Sequence, residues 1–165
     1  MPEYRGMNLI MPAADHEIRP YFEAARQGRM VLKQCNDCNL LRYPPGAACP
    51  WCNSLDFEWS EVSGRGTIHS YEIVTQAIQP GFADWVPYPV VLVELDEQRG
   101  VPTSDEGLRV IANLVTDEFR PEAEANVAIG KRVHAVFQPL DDEVALPQFT
   151  LADEPAEGRV WRYAG

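Results

Sequence analysis

Apolar positions recur along this chain with changing periods, and each change of period marks a new part. Residues 1–14 (MPEYRGMNLIMPAA) show little periodicity and carry two prolines, which predicts an extended arm. From Ile18 the spacing becomes helical, with Ile18, Phe22 and Ala25 on one stripe, Asp15 as the candidate N-cap, Glu17 early in the first turn and Gly28 at the far end. A proline beyond the first helical turn removes a backbone hydrogen bond. Pro20 therefore shifts the expected start of the regular helix towards Arg19, where the missing N–H costs little. Met30, Val31 and Leu32 then read as a short strand that runs directly into Cys35.

Beyond residue 60 the period is that of strands. β-Branched and aromatic residues mark Thr67–Thr75, Val90–Asp96, Leu108–Val115, Val127–Pro139 and Val144–Leu151. In the third of these, Leu108, Val110, Ala112 and Leu114 face one way and Arg109, Ile111 and Asn113 the other. In the fourth, Val133, Ala135 and Phe137 share a face. Gly64 and Gly66 mark a turn or bulge before the first strand, and the polar stretch TDEFRPEAEAN is expected to hold a helical turn. Five short strands separated by turns fit a small closed barrel of the OB type. The fold expected is mainly β: an N-terminal arm and helix (1–29), a metal ribbon (30–60), a five-stranded OB-fold barrel (61–152) and a C-terminal tail (153–165) that is mobile unless docked.

All four cysteines lie in residues 35–52, as two CxxC pairs, Cys35/Cys38 and Cys49/Cys52, with ten residues between them. A CxxC turn aims two thiolates and several backbone N–H groups at one point, and a second turn completes a tetrahedral four-thiolate set. The residue after each pair needs a backbone conformation that Asn tolerates, and Asn39 and Asn53 stand there. Four thiolates leave no open position for a substrate, so one structural Zn2+ is expected, with iron the chemical alternative. Its binding energy, on the order of 10–16 kcal/mol, would offset the small core of a ribbon. Two prolines near the pairs argue against a thioredoxin-like redox motif. The start MPEYRGMNLIMPAAD lacks the pattern of a secretory signal, which argues against disulfides and for a cytoplasmic protein.

Composition narrows the partners. The chain of 165 residues has 14 basic and 25 acidic side chains, a net charge of −11 and a pI of about 4.6. Nucleic-acid affinity comes mostly from Lys and Arg neutralising phosphates, so DNA or RNA is not the expected partner, although a single-stranded nucleic-acid module is the alternative this fold allows. No apolar run approaches the ~20 residues of a membrane helix. Three histidines, His16, His69 and His134, are scattered, and no GxSxG, HExxH or phosphate-cradling glycine loop occurs. Independent catalysis is therefore not expected.

The order of parts resembles the zinc-ribbon plus OB-fold family of acyl-CoA-associated proteins, once known only as domain of unknown function thirty-five. The residues that carry the resemblance are LKQCNDCNLLRYPP leading into CPWC, then SGRGTIHSYEIV, PYPVVLVELDE, and IGKRVHAVF before LPQF, within residues 18–152. The family usually has Gly after the first CxxC where this chain has Asn39. The resemblance implies a rubredoxin-like ribbon and a non-catalytic accessory subunit of a hetero-oligomer. Its partner would be a thiolase-like aldolase or acyltransferase, or a MaoC-like enoyl-CoA hydratase, acting on acyl-CoA, with steroid side-chain degradation among the pathways. CoA binding requires cations and an apolar groove. Lys33, Arg42 and Arg65 flank the ribbon and are candidates for the nucleotide end, with ordinary surface charges as the favoured reading. Trp85 and Tyr88, in the aromatic loop 76–89, are candidates for an acyl channel or an interface, against a plain role in capping the barrel.

Overall fold

The computed structural model describes residues 2–163. The arm is a small hairpin, β1 (Glu3–Tyr4) and β2 (Met7–Asn8), and not merely extended. Its two-residue turn, Arg5-Gly6, has positive φ at both positions, the geometry that matches strand twist in tight hairpins. The α-helix α1 runs Arg19–Arg26 with Pro20 in its first turn. Its N-cap is Ile18 and no side chain caps it, so Asp15 lies outside the helix.

The ribbon is a three-stranded antiparallel sheet of β3 (Met30–Cys35), β4 (Leu41–Arg42) and β5 (Phe57–Val62), in the order β4-β3-β5. Beyond it lies one five-stranded antiparallel sheet of β6 (Arg65–Val74), β7 (Tyr88–Arg99), β8 (Gly107–Asn113), β9 (Arg132–Pro139) and β10 (Ala145–Leu151), in the order β10-β9-β6-β7-β8. The expected closed barrel is a half-barrel. The sheet curls so that, among the described residues, its two edges meet at a parallel bridge between Leu114 and Phe149, where the Val115 N–H donates to the Phe149 carbonyl at 2.8 Å.

Alternation along the strands builds the core: Leu108 and Val110 of β8 are buried with Leu114, while Ile111 faces out. The fourth strand begins at Arg132, five residues later than its hydrophobic pattern predicts, because Val127 and Ala128 are buried in a loop preceded by a 3-10 turn at Glu124–Asn126. Gly64 turns the chain from ribbon to barrel with φ +70°, and Gly66 lets β6 and β7 approach, since a Cβ there would sit 2.5 Å from the Glu94 carbonyl oxygen. Met30, Leu32 and Val62 of the ribbon share one buried cluster with Ile68, Val93 and Leu95 of the barrel. Ribbon and barrel therefore do not bury separate cores.

Candidate functional site

Three places bear on the expected site: the four cysteines, the aromatic loop, and an outward groove beside α1. At the first, β3 ends on Cys35 and the chain turns through Asn39 at φ +61°; the second turn repeats this from Cys49 through Asn53 at φ +62°. The Asn39 and Asn53 N–H groups each donate to the carbonyl of the cysteine four residues earlier at 2.9 Å. The four Sγ atoms lie within 4.8 Å of one another, with Cys35–Cys52 and Cys38–Cys49 at 3.5 Å. A tetrahedral zinc with bonds of about 2.3 Å needs sulfur edges of about 3.8 Å, so the donor set fits that ion. Backbone N–H groups of Cys38 and Asp37 pull the Cys35 thiol down to about 6, and the Cys49 thiol is also lowered, the N–H groups of Cys52 and Trp51 outweighing its burial. The Cys38 and Cys52 thiols are raised instead, the N–H groups of Leu40 and Ser54 being outweighed by burial and the neighbouring thiols, so the four sulfurs titrate as one set.

Lys33 and Arg42 are not surface charges. They face each other across β3 and β4, 0% and 2% exposed. Lys33 Nζ donates to Glu17 Oε2 at 3.2 Å and to the Gly46 carbonyl at 3.3 Å, and lies 4.0 Å from the Phe57 ring centroid. Arg42 donates to the carbonyls of Gly46 and Ala47 at 3.0 and 3.1 Å, its guanidinium also over Phe57. Both cations are buried inside the ribbon, where these hydrogen bonds fasten the segment that leads into Cys49; among the described residues Arg42 Nη1 has no partner. Arg65 is different: it is exposed on β6 and paired with Glu154.

The loop 76–89 places Trp85 at 2% exposure, so it lines no open channel in this structure. Phe82, Tyr88 and Tyr4 of the β1–β2 hairpin pack round it with ring centroids 5.6, 5.5 and 6.4 Å away. Arg5 lays its guanidinium 4.5 Å from the Trp85 ring, donates to the Gly81 carbonyl at 2.7 Å and pairs with Asp84. Tyr88 stays half-buried at the edge of the same cluster. Periodicity does not foretell this lid, because Arg-Gly is a rare turn pair and the docking is long-range.

A groove of about 330 Å³ between α1 and the sheet edges has no counterpart in the hydrophobic pattern of any single element. Ile18, Tyr21 and Phe22 form one wall, Val90 and Ile111 the other, with Gln148 at the base. Burial pushes the Tyr21 phenol far above its ordinary value, so it stays a neutral, largely apolar wall. Ile111, 57% exposed, is an apolar residue on the polar face of β8, and that was the one available signal. His16, His69 and His134 are all exposed.

Comparison with known proteins agrees with this architecture. The family model for the ChsH2 rubredoxin-like zinc ribbon matches residues 22–58, and that for the ChsH2 C-terminal OB-fold matches residues 59–138. A solved structure described as an Ltp2-ChsH2(DUF35) aldolase aligns with a TM-score of 0.66 and 35% identity, covering 86% of this chain and 98% of that one. The chain belongs to the DUF35 family of ChsH2 type. A DUF35 domain-containing scaffold protein of Methanothermobacter thermautotrophicus is 28% identical over 127 residues, 76% of this chain and 84% of that protein. A probable enoyl-CoA hydratase alpha subunit of Thermomonospora curvata is 36% identical over 141 residues, covering 86% of this chain. The DUF35 chain described here spans only 39% of that relative's length.

Proposed function

We propose that this protein is a non-catalytic accessory subunit that binds a thiolase-like or hydratase-like enzyme and helps to shape the site for its acyl-CoA substrate. The observation that carries this reading is the likeness to the DUF35 chain of an aldolase assembly, over nearly the whole of that chain. The residues support it. The four thiolates form a closed metal set with no position for substrate, and the three histidines are exposed and stand far apart along the chain. The apolar groove with Ile111 on its rim offers a surface for the partner or for an acyl chain. With a thiolase-like partner the chemistry would be retro-aldol cleavage or acyl transfer on a CoA thioester, and with a hydratase-like partner water addition to an enoyl-CoA. The zinc, one per chain, would hold the ribbon and take no part in the reaction.

The test is capture of the tagged full-length protein from its native lysate, with the bound chains identified by mass spectrometry. Recovery of a thiolase-like or hydratase-like subunit, followed by activity of the pair on acyl-CoA that neither shows alone, is the expected result. Recovery of nucleic acid with ribosomal or polymerase components would overturn the reading.

A further inference from the structure

Arg132 projects from the outward face of the sheet, yet it is only 4% exposed. In the register of β6 and β9, Gly66 lies opposite Val133 and both are buried, so Thr67 and Arg132, also opposite each other, point outward beside Arg65. An arginine on that face is ordinarily solvated. Here the chain after β10 doubles back over it. The Ala152 N–H donates to the Arg132 carbonyl at 2.9 Å, and farther along Ile129 and Trp161 exchange both backbone hydrogen bonds at 2.8 and 3.0 Å. The tail expected to be mobile is a strap as far as residue 163.

Between those anchors the strap delivers two carboxylates to three guanidinium groups. Glu154 bridges Arg65 and Arg132, accepting from Arg132 Nε at 3.3 Å, and Glu157 accepts from Arg99 Nη1 at 2.7 Å. The third carboxylate, Asp96, belongs to β7 and grips Arg132 with both oxygens, at 2.7 and 2.5 Å, and also pairs with Arg99. Thr67 Oγ1 accepts from both Arg99 and Arg132 at 3.0 Å, which holds these two guanidinium groups side by side. Three positive charges therefore meet three negative ones, and two of the negatives come from a strap without regular structure. With the strap lifted, the cluster keeps Asp96 and carries two uncompensated positive charges. Forked, planar donors with a surplus of two charges are suited to a phosphate dianion. The buried Nε of Arg99, without a partner among the described residues, adds a further donor, and a cavity of about 420 Å³ lies beside Arg132 and Lys131, with the strap residues Asp153 and Glu154 on its wall.

We propose that Arg65, Arg99 and Arg132 form a phosphate-binding site that the C-terminal strap occupies through Glu154 and Glu157, so that strap release and phosphate binding compete. This stands independently of which enzyme the protein accompanies. The decisive experiment is calorimetric titration of the full-length chain, wild type and E154Q/E157Q, at low ionic strength. Adenosine 3′,5′-bisphosphate is one probe and inorganic pyrophosphate the other. The double variant is expected to bind about tenfold more tightly than wild type, and adding R65Q at the exposed arginine is expected to erase the gain. A preference for the bisphosphate identifies a nucleotide as the ligand; equal binding identifies bare phosphate groups. A folded double variant that binds neither probe better than wild type, or a gain that survives R65Q, overturns the proposal. Should the double variant melt below the assay temperature, E157Q alone, at a largely exposed side chain, is read by the same criteria, with R99Q in place of R65Q.

Discussion

The side-chain amide of Gln98 pairs with both backbone polar groups of Leu41. Gln98 Oε1 accepts from the Leu41 N–H at 2.8 Å, and Gln98 Nε2 donates to the Leu41 carbonyl at 3.0 Å. Both residues are buried. Leu41 opens β4 of the ribbon and Gln98 lies near the end of β7, so one side chain extends the ribbon sheet sideways onto the barrel. This bond pair, with the shared core, makes the orientation of the metal turns a property of the barrel.

Substituting Gln98→Leu keeps the bulk and leaves a buried N–H and C=O of Leu41 without partners. The expected loss is on the order of 2–3 kcal/mol, seen as a lower urea midpoint with an unchanged slope. An unchanged midpoint would mean that water replaces the amide and that the joint is not held this way.

Fresh protein purified without chelator is expected to contain one zinc per chain. Removing it, or replacing Cys35 by Ser, is expected to unfold the ribbon and expose Met30, Leu32 and Val62, since metal binding of this kind is folding energy. Elemental analysis with near-ultraviolet circular dichroism checks this. A stoichiometric iron content would make the site an iron centre instead.

Acid should weaken the barrel end through Asp96. Hydrogen bonding from Arg132 holds this carboxyl below the ordinary carboxylate value, with burial opposing it and the charge of Arg99 assisting. A folded pKa that is depressed contributes stability above the unfolded value, near 3.9, and the contribution is lost as pH falls through the folded value. Urea midpoints measured from pH 6 down to about pH 3 should therefore fall less steeply for Asp96→Asn than for wild type. A residual slope is expected from Asp141, whose carboxyl is lowered by the N–H groups of Val144 and Glu143.

Trp85 and Ile111 should separate stability from partner binding. Trp85→Ala empties a buried aromatic cluster and is expected to cost about 3–5 kcal/mol in thermal or urea unfolding. Ile111→Asp changes an exposed position, so unfolding should shift by less than about 0.5 kcal/mol while capture of the partner enzyme is weakened. Partner capture unchanged by Ile111→Asp would place the interface elsewhere.

What the sequence determined is local. Two CxxC pairs set the metal turns because each is a single contiguous turn, and Asn39 and Asn53 announce the positive φ that the structure shows. The alternation of β8 fixes which of its residues enter the core, and Pro20 sets where α1 begins. What the tertiary structure decided is every feature built by residues far apart in the chain. Lys33 and Arg42 look like surface charges until β3, β4 and Phe57 close over them. Trp85 looks like an exposed anchor until the hairpin at residues 3–8 covers it, and the acidic tail looks mobile until three arginines from β6, β7 and β9 gather to receive it. The reason is physical. Period and turn chemistry act over a few residues, whereas the environment of a charge or a ring is set by chain segments whose meeting no local pattern records.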